Sequence, residues 1–399
     1  MHRCGVLSQG RNLLCIQDTS EFNLSNQQGR LKKDSGLGKT TKEGILGFTL
    51  HSSLVVDADK GSALGYSFIK LWERKADAPD RYERKYKTLP IEQKESNKWL
   101  EATVQSKKLL KVANSITIVC DREADIYDLL ESVSGEHIHF LIRSSSNRQL
   151  TGNIKLQDYL TQLPIMHQYD LAIRGDVRKN IEKRTAPMAL KWGKVSVLKP
   201  SNSKNKSLAP SKELYVVEAR EQTKSGIYWR LITTHAVTNE QEAMPVIEWY
   251  KHRWYIEQVH RLLKTEGFRI ERSQLEQGWA IRKLTLLAMM ATLRILQMML
   301  AYEDDNEQPI DEVFDKQQQQ CLQMMNHQLE GNTDKQKNAS KPSTLKWATW
   351  IIARLGGWKG YASQRKPGPI VFQKGLIKFY HMFEGWMMYQ KFARDVSTP

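Results

Sequence analysis

The chain is poor in cysteine, and the few it has are scattered. Cys4, Cys15, Cys120 and Cys321 are the only four in 399 residues. They form no CxxC pair and no zinc-ligand spacing, so no disulfide framework or structural zinc is expected, and a reducing cytoplasm fits. Long hydrophobic runs are also missing. The closest, KLTLLAMMATLRILQMML from Lys283 to Leu300, is interrupted by Lys283 and Arg294 and reads as a buried helix. The first residues, MHRCGVLSQGRNLLC, lack the apolar stretch of a signal peptide. Acidic residues are in deficit, 44 against 60 Lys and Arg, for a formal charge of +16. That excess favours a polyanionic partner, nucleic acid or an anionic membrane surface. The basic residues are spread through strands and loops and build no amphipathic basic helix, which argues against the membrane. SGLGKTT (Ser35 to Thr41) imitates a phosphate loop, but Lys33 stands where the first glycine belongs and no clean strand-to-helix step follows. An ATPase is therefore excluded.

What is present reads as alternating strands and helices. NLLCIQD (Asn12 to Asp18) is a short apolar strand stopping at an acid, followed by a polar loop over 23–46. GFTLHSSLVVDAD and ALGYSFIKLWERK are two strands of a hairpin joined by KGS. Residues 86–113 have helical periodicity, SITIVCD (Ser115 to Asp121) is a second apolar strand ending in an acid, READIYDLLESVSG is a helix, and HIHFLIRSS is a strand. The order implies an α/β fold with a mixed sheet and helices packed on it. Residues 148–210 alternate apolar and basic pieces, as a strand-rich basic insertion would. ELYVVEAR and GIYWRLITT form a hairpin, and residues 239–265 one long helix with Asn239 as N-cap. An apolar helix follows over 281–300. The stretch 301–344 is polar and in part linker, and two helices are expected over 345–355 and 375–393.

The stretch YKHRWYIEQVHRLLKTEG, Tyr250 to Gly267, carries the chemistry. On a continuous helix Tyr250, Arg253, Glu257, His260 and Lys264 share an arc of roughly 80°. Spacing alone favours a solvated face with Glu257 paired to Arg253 and Arg261. Asp18 and Asp121, each ending a strand, could meet Glu257 at one sheet edge, or could merely cap a turn or a following helix. If the three meet, a set of carboxylates without a histidine cluster suits Mg²⁺ or Mn²⁺. Two such ions can activate water and stabilise the leaving oxygen in phosphodiester chemistry.

With IQDTS, VCDREADIY and the Tyr-x2-Arg-x3-Glu-x6-Lys spacing of Tyr250, Arg253, Glu257 and Lys264, the sequence resembles bacterial insertion-sequence transposases with an Asp-Asp-Glu site. The resemblance extends through FLIRSSSNR, YWRLITT and LKWATWIIARLGGW, from about residue 12 to 390. It implies a ribonuclease H-like mixed sheet with flanking helices, interrupted by a β-rich insertion, plus a helical C-terminal domain. The implied division is 1–148 for the first part of the catalytic core, 149–212 for the basic insertion, 213–300 for the rest of the core, and 301–399 for a dimerisation region. Asp18, Asp121 and Glu257 would hold two Mg²⁺ ions, with Mn²⁺ as a substitute. Tyr250, Arg253, Lys264, Arg143 and Arg148 would contact DNA phosphates. Trp229 would stack on a flipped base and Trp254 would help wedge it out. The implied partners are double-stranded DNA, as element ends and target, and a second copy of the chain when assembled on DNA, in a bacterial cytoplasm or nucleoid. The implied reaction is cut-and-paste transposition through a DNA hairpin and strand transfer.

Those transposases carry a helical DNA-binding domain before the first aspartate. Here eleven residues precede the first strand, too few for a domain with its own core. Weak, non-specific binding of end DNA is therefore expected. Two other readings share the same residues: a metal-dependent nuclease that cuts without joining, and a shortened, non-autonomous or inhibitory derivative that binds DNA or a full-length partner.

Overall fold

The computed structural model describes residues 1–32, 36–40, 45–74, 89–133, 135–173, 182–203, 205–223, 226–303, 307–361 and 366–396. Parts of the SGLGKTT stretch, of the basic insertion and of the helix expected over 86–113 lie outside them.

The first strand, β1 (Asn12–Asn23), explains the sheet. Its run Leu13–Ile16 is apolar on successive residues because both faces are covered. Leu14 and Ile16 enter one hydrophobic cluster, and Leu13 and Cys15 enter another on the opposite face. β1 pairs antiparallel with β3 (Leu46–Asp57), which makes a hairpin with β4 (Ala63–Trp72) and also pairs with β2 (Gly38–Lys39). On its other edge β1 pairs in parallel with β5 (Ser115–Cys120), and β5 in turn with β6 (Ile138–Arg143). Antiparallel strands then extend the same sheet: β10 (Tyr228–Thr233), β9 (Ser211–Glu221), β8 (Arg184–Leu198) and β7 (His167–Ile173). The basic insertion thus lengthens the sheet instead of standing apart from it. This is a ribonuclease H-like arrangement with flanking helices and a separate helical bundle near the C-terminus.

β1 does not stop at Asp18, as its first residues suggest. It runs five residues further against β3, to Asn23 opposite Gly47. Phe22 stacks on Phe48 with ring centroids 4.8 Å apart and both are fully buried. Burial of such a ring stabilises by about 1.5–3 kcal/mol, enough to carry the strand past a charged residue. Glycine at 47 is required here, because a Cβ would lie 1.9 Å from the Phe22 carbonyl oxygen.

On one face of the sheet lie α2 (Asn97–Leu109), α3 (Tyr127–Ser132) and α4 (Leu156–Gln162). On the other lie α5 (Glu240–Lys251), α6 (Trp254–Arg261) and α7 (Gly278–Glu303). A short helix, α1 (His2–Leu7), precedes β1. The helix expected over 239–265 is broken. Asn239 caps α5 by accepting from the Glu242 amide at 3.0 Å, but the chain turns at His252–Arg253, and residues Leu262–Glu266 after α6 are π-helical.

α7 is long and apolar enough to cross a bilayer, yet half of its most apolar stretch is inside the fold. Ile281, Ala288, Met289 and Leu296 face the sheet, while Ile295, Met298 and Ala301 belong to the bundle core. The bundle comprises α8 (Lys316–Leu329), α9 (Leu345–Leu355) and α10 (Pro369–Val396). The glutamine run KQQQQ opens α8 behind a capping box made by Asp315 and Gln318. Arg11, at the start of β1, reaches Asp57 at 3.0 Å and Glu312 of the bundle at 2.6 Å.

Candidate active site

The parallel pairing of β1 with β5 sets the level of the two aspartates. Ile16 pairs with Val119, and the same offset of 103 positions relates Asp18 to Asp121. Neighbouring strands lie about 4.8 Å apart, and side chains in register point to the same face. That face is the one covered by α6, since Leu14, Ile16 and Val119 pack in the same cluster as Ile256 and Val259. β5 ends at Cys120 and Asp121 caps the 3₁₀ turn Arg122–Ala124, its Oδ1 accepting from the Glu123 amide at 2.9 Å. Asp18 Oδ1 accepts from the Thr19 amide at 2.8 Å. So the capping role weighed from the sequence is present for Asp121, whereas Asp18 lies within β1 and caps neither a turn nor a helix, and the two acids are also neighbours.

Glu257 comes from α6, on the same side. Its side chain is 37% exposed and its carboxylate is ion-paired with Arg253, one helical turn earlier. Arg253 also lies 6.0 Å from the centre of the Tyr250 ring. Burial pushes the Asp18 carboxyl up to about 7, the Thr19 amide and Arg253 oppose this, and the charges of Asp121 and Glu257 add to it. The Asp18 carboxyl therefore senses the charges of both Asp121 and Glu257. Among the described residues, however, no three His, Cys, Asp or Glu side chains close around one point as a finished metal cage. The Glu257 carboxylate is instead ion-paired with Arg253. By donor chemistry the set fits a hard divalent cation, because it offers carboxylate oxygens and an Asp18 whose anion is disfavoured by burial and by acidic neighbours.

Tyr250, at the end of α5, is 4% exposed; burial raises its hydroxyl above the usual range, while Arg253 and Arg143 oppose the shift. Arg143, at the end of β6, places its charge near that hydroxyl and donates to the Tyr228 carbonyl at 2.7 Å. Trp229 on β10 meets the Tyr250 ring edge to face, with centroids 5.7 Å apart. Trp254, first residue of α6, is 44% exposed. Lys264 lies in the π-helical turn, its ammonium 5.4 Å from the centre of the Phe22 ring. That turn is wedged between two cores: Leu262 packs with the bundle and Leu263 with the sheet.

Arg148 lies elsewhere than its expected role requires. It is buried, donates from Nε to Asp125 Oδ1 at 2.9 Å and from Nη2 to the Asp125 carbonyl at 2.8 Å, and is ion-paired with that carboxylate. Asp125 in turn accepts from the amides of Ser145 and Ser146 at 2.8 and 3.0 Å. The guanidinium holds the turn after β5 to the loop after β6, facing inward.

Two residues near the aspartates have no role assigned from the sequence, although periodicity puts His260 on the polar face of Glu257. His260 is buried with Nδ1 3.6 Å from Asp18 Oδ2. Burial first, then Lys264 and Arg253, lower its pKa to about 3, so it is neutral. Lys98, in the first turn of α2, lies 4.0 Å from Glu123 and faces Asp121 and Asp18. Its signal in the sequence is a cation at a helix N-terminus, where the helix dipole disfavours positive charge.

Residues 98–294 match the family described as "Transposase DDE domain". The match covers a little under half of the chain and includes Asp121 and Glu257 but not Asp18. Among solved structures, one titled as a piggyBac transposase synaptic complex with hairpin DNA is similar at 11% identity and a TM-score of 0.30, over 74% of this chain and 53% of that one. The chain thus spans about half the length of that transposase.

Proposed function

We propose that the chain is a DNA transposase that cleaves element ends by metal-dependent hydrolysis and joins them to target DNA. The observation that supports this most is the shared level of Asp18 and Asp121 under the helix that carries Glu257, with Asp121 and Glu257 inside a region matching a transposase DDE domain. Two divalent ions held by Asp18, Asp121 and Glu257, Mg²⁺ with Mn²⁺ as substitute, would supply activation of water and stabilisation of the leaving oxygen. Arg253 and Lys264 place positive charge beside the carboxylates, and Arg143 with Tyr250 forms a second phosphate contact behind them. Arg148 acts as a brace for the turn after Asp121 in this reading, not as a phosphate contact.

Trp229, half-buried on Tyr250, offers an aromatic surface for a base displaced during hairpin formation, and the exposed Trp254 is the wedge. Double-stranded DNA is the substrate. A homodimer formed on DNA fits the apolar exposed face of α10, where Ile370, Ile377, Met382, Met388 and Tyr389 face solvent.

The test is Mg²⁺- or Mn²⁺-dependent cleavage of a DNA end, with Glu257→Ala as control. Cleavage that survives this substitution sinks the assignment. Joining of a pre-cleaved end separates a transposase from a nuclease that only cuts.

A further inference from the structure

β1 outruns its parallel neighbour. From Thr19 to Asn23 it is paired with β3 on one edge, while β5 has already ended on the other. A polar cavity of about 570 Å³ lies along this stretch, with Lys98 and Lys264 in its walls. Lys264 enters from the α6 side and Lys98 from the start of α2, on the opposite face of the sheet. Between them stand Thr19 and Ser20, next to Asp18.

Lys98 is held in an unusual way. Its side chain is 12% exposed, and its ammonium lies 5.6 Å from the centre of the Trp72 ring and 5.5 Å from that of Trp99. Ring faces attract a cation without using up its hydrogen bonds. Its nearest carboxylate, Glu123, is 4.0 Å away and 69% exposed, a loose pair of little worth in water. Lys98 donates no hydrogen bond among the described residues. A plain structural lysine would gain nothing from a helix N-terminus, where the dipole opposes it. Here the charge is fixed in place with its three donors unspent, facing the cleft.

We propose that Lys98 is a further phosphate-contacting residue of this site, holding the DNA strand from the α2 side while Lys264 and Arg253 hold it from the α6 side. This rests on the DNA-cleaving reading above and adds a residue and a path to it: the strand runs along the open edge of β1, past Thr19 and Ser20. Glu21, Glu123 and Glu271 also line the cleft, so the two lysines are its phosphate-binding groups and the carboxylates oppose a strand that strays from them.

The test compares Lys98→Met, which keeps the stem between Trp72 and Trp99, with Lys98→Arg, which keeps the charge. Binding of a short DNA duplex with a single-stranded tail is measured against salt in Ca²⁺, with Glu257→Ala as reference. Losing one phosphate contact lowers the slope of log K against log salt by about 0.7–0.9. That drop is expected for Lys98→Met at an unchanged thermal midpoint, with Lys98→Arg restoring it. An unchanged slope in a folded Lys98→Met protein overturns the proposal even if cleavage depends on Glu257. Conversely, loss of the slope in a protein that never cleaves keeps the contact and rejects the enzymatic reading.

Discussion

The register of β1 with β5, paired as far as Ile16 and Val119, carries Asp18 and Asp121 to one level, where β5 has just ended and β1 runs on. β5 turns away after Cys120, and β1 continues for five residues beyond Asp18. The pair therefore sits at a step in the sheet, open on the β5 side and closed by β3 on the other.

Substituting either aspartate by asparagine keeps shape and removes charge. Asp18→Asn and Asp121→Asn are each expected to lower cleavage by roughly 10²–10³-fold or more, the scale of removing one stabilising group at a centre of developing charge. DNA binding in Ca²⁺ should persist. Single-turnover cleavage beside a gel-shift titration checks both.

On the proposed reading, Arg253 competes with a metal ion for Glu257, with which it is ion-paired. A partly exposed pair of this kind is worth about 0–1 kcal/mol. Arg253→Met is expected to raise Mn²⁺ affinity by up to about five-fold while weakening cleavage, because the carboxylate is freed and a phosphate contact is lost. Calorimetric Mn²⁺ titration of the DNA-free protein reads the first effect. A fall in affinity would show that Arg253 arranges the carboxylates instead of occupying one.

Arg148→Ala leaves Asp125 buried without its cation. Breaking a buried pair from one side costs about 3–5 kcal/mol, so a clear fall in denaturation midpoint is expected. A residue that only touched DNA would weaken binding and leave the midpoint unchanged. Urea unfolding distinguishes these.

Three histidines make the fold sensitive to acid. Burial, first, holds His235 and His260 down to about 3 and His51 well below 6.5; His139 adds to the first, Lys264 and Arg253 to the second, and Lys98, His260 and Lys70 to the third. Below about 6.5 the unfolded chain takes up protons that the folded chain refuses, so stability falls as pH drops toward 3. Asp18 works the other way, since its carboxyl binds a proton near 7 in the fold and only near 3.8 when unfolded. Three groups outweigh one, and the midpoint is expected to be lower at pH 5 than at pH 8. His235→Asn should flatten that dependence.

Much of this was legible in the sequence because it rests on local pattern. The apolar runs around Leu14 and Ile118 mark strands buried on both faces, and each is followed by its aspartate. Asn239 and Gly356 mark a helix start and a helix end where they stand. What could not be read depended on partners distant in the chain. β1 passes Asp18 because Phe22 finds Phe48 and Gly47 lets its carbonyl in. The helix after Asn239 breaks at His252, so Tyr250 and Glu257 belong to different helices, although periodicity joins them. Arg148 looks like a surface cation until Asp125 folds onto it. The polar run at Lys316 becomes a helix because Asp315 caps it and Leu322 and Met325 find the bundle core.

Leu262 and Leu263 are consecutive, yet one is anchored in the bundle and the other under the sheet. The turn that bears Lys264 is therefore a joint gripped from both sides. Any load placed on the bundle, by a second protein or by DNA laid across it, is transmitted to the spot where α6 ends. The C-terminal helices then serve as a foundation for the end of α6 as well as a surface. Removing them should loosen Lys264 before it unfolds the sheet, and amide exchange across 258–266 would record it.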